Sequence, residues 1–191
     1  MTKPPRLLLA CATLLSLSGC AQQNPNLPEL KAELVQLNQK LSRLTVLATA
    51  LEQQTTLNRQ STNGVYLLPA AKSTALVETE IGELSLELTR IAPDASGVQA
   101  VLEIKNNAGQ PLPAFTATLN WGQLDPVTGK PLTVDMQTQT ITVEPDLLPG
   151  PVKTVDVKLD QVTVETLGFV HLHNFVATQK PAQATAPVPA K

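Results

Sequence analysis

The segment Phe115-Thr116-Ala117-Thr118-Leu119-Asn120-Trp121 alternates apolar and polar residues along its whole length. Because successive side chains of a strand point to opposite faces, this alternation predicts a β-strand with one buried face. The same alternation recurs in the segments 82–89, 99–105 and 154–159. We therefore expect residues 64–176 to form a mainly β domain.

Turn-forming sequences separate these segments, at Ala92-Pro93-Asp94, Asn106-Asn107-Ala108-Gly109, Asp125-Pro126 with Gly129, and Pro149-Gly150-Pro151. Between residues 132 and 143 the alternation shifts after Met136, which predicts either a bulge or two strands there. Seven or eight short strands without intervening helices predict an antiparallel β-sandwich of the immunoglobulin or fibronectin kind. The pattern does not determine the order of the strands.

Leucines repeat at seven-residue spacing before this domain, and we call them the leucine seam. The first seam position holds Leu27, Leu34 and Leu41, and the second holds Leu30, Leu37, Leu44 and Leu51. Ala48 and Thr55 continue the first position without leucine. The repeat predicts one long amphipathic α-helix over residues 27–60 that is able to form a coiled coil.

Three uses of this helix remain open from the sequence. The leucine seam is a possible interface for self-association, or for a helix of another envelope protein. Val46, Leu47 and Ala50 widen the apolar stripe, however, as in a helix that packs on its own domain. The charges beside the seam offer little complementary pairing that would select among these.

The N-terminal segment has the layout of a secretory signal. Lys3 and Arg6 precede the apolar run 7–17, and Leu17-Ser18-Gly19-Cys20 resembles the lipobox of bacterial lipoproteins. The run is too short to span a bilayer, which takes about 20 apolar residues. We expect a signal peptide over 1–19, lipidation of Cys20, a tether over 20–26 and attachment to the membrane through acyl chains such as palmitate.

The residues after Cys20 and the C-terminal end complete the predicted organisation. In enterobacterial-type lipoproteins an Asp after the modified Cys favours the inner membrane, and this chain has Ala21 and Gln22 instead. That comparison implies the bacterial outer membrane, with the protein facing the periplasm. Residues 177–191 are rich in Ala and Pro and are predicted to be disordered.

Composition excludes several classes of function. Without Lys3 and Arg6, the 14 basic residues become 12 against 16 acidic ones, so the mature chain carries a net charge of −4. It has no basic cluster, and nucleic acid is therefore not an expected partner. Cys11 leaves with the signal and Cys20 is the lipidation site, so no disulfide is expected.

The two histidines, His171 and His173, are the strongest candidates for a metal or ligand site. They alternate with Val170 and Leu172, so their rings should share a face with Phe169 and Phe175. A zinc site needs a third or fourth ligand, and Glu165 and Asp160 have no diagnostic spacing. The chain has no nucleophile elbow and no phosphate-binding glycine loop. We therefore predict no enzyme, no cofactor and no metal, with a small metal- or ligand-binding module around the histidines as the alternative.

Four short motifs suggest a family. The strings Leu41-Ser42-Arg43-Leu44-Thr45, Gly64-Val65-Tyr66-Leu67-Leu68-Pro69, Leu112-Pro113-Ala114-Phe115 and Leu167-Gly168-Phe169-Val170 resemble the YajI-type lipoproteins of enteric and related bacteria. The resemblance covers most of the mature chain up to about Phe175. It implies an envelope lipoprotein with a domain of unknown function, and it brings no catalytic residue. The resulting hypothesis is a membrane-anchored, non-catalytic structural or adaptor module that binds other envelope components.

Overall fold

The structure is a computed structural model that describes residues 27–145 and 147–178. The predicted signal peptide, tether and lipidation site at Cys20 lie outside the described residues, as do residues 179–191 of the tail predicted from residue 177. The prediction was wrong at Ala177, which belongs to the last strand and pairs with Phe115. One helix, α1 (Leu27–Gln60), precedes eight strands and a short 3₁₀ helix, Pro69–Ala71. The strands are β1 (Val65–Leu67), β2 (Ala75–Thr79), β3 (Gly82–Pro93), β4 (Gly97–Asn106), β5 (Phe115–Gly122), β6 (Gln137–Val143), β7 (Val152–Asp160) and β8 (Phe169–Ala177).

The strands form two four-stranded sheets. The first sheet has the order β1-β8-β5-β6 and the second has the order β2-β3-β4-β7. All paired strands are antiparallel. The predicted fold class, a mainly antiparallel β domain preceded by one helix, is confirmed.

The core lies between the two sheets and follows from the alternation of the sequence. Phe115, Leu119 and Trp121 of β5 are buried in one cluster with residues of the second sheet, among them Leu86 and Leu102. The indole nitrogen of Trp121 donates a hydrogen bond to the carbonyl of Asp160 at 3.0 Å. The core therefore encloses apolar side chains while the one indole N–H keeps a partner.

The segment between β5 and β6 differs from the prediction of a bulge or two strands. A bridge between Leu124 and Pro131 closes a loop in which the Asp125 carboxylate accepts hydrogen bonds from Val127 and Thr128. A single strand, β6, follows with unbroken register against β5. The prediction was wrong because residues before Gln137 belong to the loop, where no alternation is required.

The end of β8 also differs from the prediction. Asn174 has a φ of 52°, and the pairing of β5 with β8 shifts register between Thr116 and Thr118. The extra residue of this bulge reverses the alternation, so Phe175 packs on the core with Phe115, their ring centroids 6.2 Å apart. The predicted shared face of Phe175 with the two histidines is therefore wrong.

The chain divides into two compact units, Met1–Gln39 and Lys40–Lys191. The described part of the first unit is helical throughout and exposed at every residue. The second unit contains the remainder of α1 and all eight strands. Across the residues that the structure describes, no helix combines the length and the apolar character needed to cross a membrane.

Candidate interaction surfaces

One side of the C-terminal half of α1 packs on the first sheet. Ala50 is buried in a small cluster with Leu68, Ala71 and Phe169. Leu57 and Tyr66 are partly buried at its border. The predicted alternative of a helix packed on its own domain therefore holds for this part of α1, where Leu47 is partly buried and Ala50 is buried, whereas Val46 of the widened stripe stays 59% exposed.

Two amides one helical turn apart fasten this side of α1 to β1. Gln54 accepts a hydrogen bond from the Leu68 N–H at 2.7 Å and donates one to the Ser73 hydroxyl at 2.9 Å. Asn58 accepts from the Tyr66 N–H at 2.6 Å and donates to the Tyr66 carbonyl at 3.0 Å. These side chains replace the neighbouring strand that the outer edge of β1 lacks.

A third amide joins α1 to the loop between β5 and β6. Gln53 donates a hydrogen bond to the Gly129 carbonyl at 2.6 Å. Gly129 has a φ of +68°, and a Cβ at this position would overlap the Gln53 amide. The left-handed conformation favours glycine there, and a larger residue would also displace the end of the Gln53 side chain. The hydrogen bonds from Thr128 and Val127 lower the pKa of Asp125 in the same loop.

The leucine seam does not take part in this packing. Its seven leucines are each between 45% and 61% exposed, in both units of the chain. Leu41 lies nine residues before buried Ala50, which is about two and a half turns and places it on the opposite side of the helix. The seam is thus left free by the fold. Coiled-coil formation stays a prediction.

His171 and His173 lie on the outer face of the first sheet in a row of stacked rings. The Tyr66 and His171 centroids are 4.0 Å apart, and those of the two histidines are 4.9 Å apart. Nε2 of His171 lies 2.9 Å from the Asn63 carbonyl, to which it donates. Burial lowers the pKa of His171, the charge of His173 lowers it further, and the bond to Asn63 opposes both.

The second histidine has its own partner. The Asn120 side chain accepts from the Thr138 hydroxyl through Oδ1 at 2.9 Å, so its amide nitrogen faces Nε2 of His173 at 3.0 Å. Both Nε2 atoms are therefore engaged. Within residues 27–145 and 147–178, no three His, Cys, Asp or Glu side chains come together as metal ligands.

Strand β6 presents an uncharged edge. The Gly122 carbonyl accepts a hydrogen bond from the Gly168 N–H, so the backbone groups of Gly122 point toward β8. In a strand, the backbone N–H and C=O groups of every second residue point to the same side. The even-numbered residues of β5 therefore bond on the β8 side. The odd-numbered residues of β5 therefore bond to the odd-numbered residues of β6. The N–H and C=O groups of Thr138, Thr140 and Thr142 consequently point away from the sheet.

The other edge strands differ from β6. The edge of β1 is covered by the amides from α1. Strand β2 is five residues long and contains Glu78, with Glu80 directly after it. Strand β7 carries the charged residues Lys153, Asp156 and Lys158. Short length and exposed charge both discourage pairing with a further strand. By the same criteria, β6 is open to pairing.

A family comparison now identifies the chain. The family described as "Protein of unknown function (DUF3251)" matches residues 20–184, most of the sequence. The chain belongs to the DUF3251 family. The match begins at Cys20, the predicted lipidation site, and the resemblance inferred from the short motifs is confirmed.

The DUF3251 relatives include a protein of Escherichia coli (strain K12) named "Uncharacterized lipoprotein YajI". It is 35% identical over 167 residues, which cover 87% of this chain and 93% of the relative. A solution NMR structure of the same Escherichia coli lipoprotein matches with a TM-score of 0.66 and 32% identity, over 73% of this chain and 83% of that one. These relatives support a DUF3251 lipoprotein of the bacterial envelope.

A second solved structure shares the fold. It is described as the Salmonella enterica trimeric lipoprotein SadB, with a TM-score of 0.50 and 18% identity. The match covers 79% of this chain and 77% of that chain. At this identity the likeness shows the fold alone.

Sequence reasoning missed the residues that dock the helix. The leucine repeat does not single out Gln53, Gln54 or Asn58. The available signal was the spacing of two amides by four residues, directly after the apolar positions Leu47 and Ala50. Tyr66 was noticed only within a family motif.

Proposed function

We propose that this DUF3251 protein is a lipid-anchored, non-catalytic adaptor whose sandwich binds other components of the bacterial envelope. The observation that carries the proposal is the open edge of β6, with the backbone groups of Thr138, Thr140 and Thr142 directed outward. A partner segment that adds as a further strand gains main-chain hydrogen bonds there.

The surroundings of this edge support a partner of defined character. The side chains of Thr138, Thr140 and Thr142 are exposed, and those of Thr116 and Thr118 continue the same outer face half-buried. These hydroxyls favour an extended, uncharged segment without proline, because proline removes a ladder donor. Exposed Asp135 and Glu144 flank the strand and favour basic residues at the ends of that segment.

A photo-reactive amino acid at Thr138 in the full chain tests the adaptor in intact cells. We expect an adduct with a different envelope protein, at least tenfold weaker in Thr140→Lys, because a lysine protects a strand edge from pairing. Thr154→Lys, on the exposed face of charged β7, is the matched control and should leave the adduct unchanged. The adaptor proposal fails if the protein captures only itself, or if both lysine variants behave alike.

The anchor and its destination form part of the proposal. The lipobox that ends at Cys20 supports lipidation there, and Ala21 and Gln22 after it support the outer membrane with the protein facing the periplasm. Metabolic palmitate should label the wild type and not Cys20→Ser. Ala21→Asp should shift the protein to the inner-membrane fraction, and an unchanged distribution would contradict the outer-membrane assignment.

Association through α1 is a further part of the proposal. The free leucine seam supports binding to a helix of another envelope protein or to further copies of this chain. Both occupants would bury the same leucines, so the choice between them depends on geometry and charge.

The alternative function at His171 and His173 depends on the pair of stacked rings. Metal binding through the Nε2 atoms would require them to give up Asn63 and Asn120. Elemental analysis of protein purified without chelators tests this alternative. Stoichiometric zinc or copper that disappears in the His171→Ala, His173→Ala double variant would support it, and metal-free wild type would reject it.

A further inference from the structure

The leucines of the seam repeat along α1, and in each of the two units they remain exposed to water. Seven leucines, each about half exposed, present an apolar area on the order of several hundred Å² along one stripe. A specific interface buries about 800 Å² per partner, so an area of this size is of the order that stable association needs. We propose that the seam binds the same seam of further copies of this chain, in parallel and in register.

The helix can serve both interfaces at once. The sandwich is contacted by Ala50 and Gln54, whereas Leu41 lies on the other side of the helix and both Leu41 and Leu44 remain exposed. Association through the seam therefore displaces no contact between α1 and the sandwich. A helix with a single apolar side packed on its own domain would have no apolar side left for a second copy.

The seam ends where docking begins. The two seam positions after Leu51 are Thr55, which is exposed but not apolar, and Asn58, which is engaged by the sandwich. The Thr55 hydroxyl donates to the Leu51 carbonyl, and the Asn58 amide is bound to Tyr66. The proposed interface therefore extends from Leu27 to Leu51.

Charge permits the parallel arrangement. In a parallel pair of helices in register, the residue directly before each first seam position faces a residue of the partner copy. That partner residue lies five positions later in the sequence. Glu33 then faces Asn38, and Lys40 faces Thr45. No like-charged pair arises, so the seam carries no electrostatic penalty against self-association.

The anchor supplies orientation and concentration. A lipid at Cys20 places the N-termini of all copies in one membrane, so their helices leave the surface in the same direction. Confinement to that surface raises the effective concentration of the seams for one another. The parallel orientation of the helices rests on the lipid anchor of the proposed function. The exposure of the seam leucines does not depend on that anchor.

Single cysteines in the full chain test the arrangement by mild oxidation of intact cells. We expect disulfide-linked pairs with Leu30→Cys and with Leu44→Cys, because equivalent seam positions of parallel helices approach within disulfide distance. An antiparallel pair centred on Leu37 would instead bring position 30 opposite position 44. Gln39→Cys, which faces away from the seam, is the control, and its linked fraction should be at least tenfold lower.

The mass of the full lipidated chain in mild detergent gives a second readout. The wild type should contain two or more copies per particle, and Leu37→Glu with Leu44→Glu should be a single copy with unchanged circular dichroism, since both leucines are exposed. A single-copy wild type overturns the inference. Equal linkage at Gln39→Cys, or linkage of Leu30→Cys to a different protein, overturns it as well.

The two proposals fail separately. Thr140→Lys should leave the seam linkage unchanged while it weakens the adduct at β6. Intact linkage without a partner at β6 would remove only the adaptor. A partner at β6 without linkage would remove only the self-association.

Discussion

Replacement of Gln54 should separate α1 from β1 at a measurable cost. Gln54 is 4% exposed and satisfies the buried N–H of Leu68 as well as the Ser73 hydroxyl. A buried donor left without an acceptor costs about 1–3 kcal/mol. Gln54→Met keeps most of the volume and removes both hydrogen bonds, so we expect a loss of about 2 kcal/mol in the free energy of unfolding. Gln54→Ala adds the loss of packing and should cost about 3 kcal/mol.

Urea unfolding of the mature chain measures these losses. For a chain of this size, 2 kcal/mol corresponds to a fall in Tm of about 4–8 °C. Amide hydrogen exchange gives a local readout, because the Leu68 N–H should lose protection in Gln54→Met. Thr55→Ala is the control one residue away, exposed and bonded only within its own helix, and should change stability by less than about 0.5 kcal/mol. A Gln54→Met variant as stable as the wild type would refute the reasoning.

Three further predictions concern the sandwich. Because the pKa of His171 is lowered in the folded state, its contribution to stability is complete above the unfolded value of about 6.5 and is lost as pH falls below it. Urea unfolding should therefore show falling stability between pH 7 and pH 5.5, with a smaller slope in His171→Gln. Asn106→Asp should cost about 2–3 kcal/mol by thermal unfolding, because the buried amide donates to two carbonyls, including that of Leu147. Gly64→Ala should cost at least about 2 kcal/mol in the same assay, since its φ is +76° and a Cβ would overlap the Leu172 carbonyl.

Each of these predictions has a matched control. An unchanged pH slope in His171→Gln would remove His171 as its source. Asn107→Asp, at the neighbouring exposed position, replaces a hydrogen bond to the Glu83 carboxylate with a solvent-screened repulsion and should cost less than about 1 kcal/mol, and equal effects at 106 and 107 would contradict the argument from burial. Gly109→Ala meets no atom within 4 Å, so a loss as large as that of Gly64→Ala would show that the close approach at Gly64 is not the cause.

The sequence predicted those features that repeat along the chain. Alternation in β5 and the leucine repeat in α1 each report one buried or apolar side, and a period of two or seven is visible without tertiary contacts. The bulge at Asn174 was not predictable, because one residue with positive φ leaves no periodic signal and yet moves Phe175 to the other face. The prediction of a bulge or two strands between residues 132 and 143 was wrong for a similar reason. The residues before β6 lie in a loop, and loop residues follow no period.

The candidate sites were likewise predictable only where they depend on spacing along the sequence. The leucine seam could be listed from spacing, and the histidines could be placed on one strand. The partners of the histidines could not, because Asn63 and Asn120 are distant in sequence and reach the rings only through the pairing of β1, β8 and β5.

The sequence by itself determined the helix, the alternating strands, the mainly β fold class and the family, because each depends on local periodicity or on short motifs. Tertiary structure decided which side of α1 meets the sandwich, which strand edges are covered and which one stays open. Those outcomes depend on amides such as Gln54 and Asn58 finding backbone groups across space. A hydrogen bond is directional and short-ranged, so its partner is fixed only once the chain has folded.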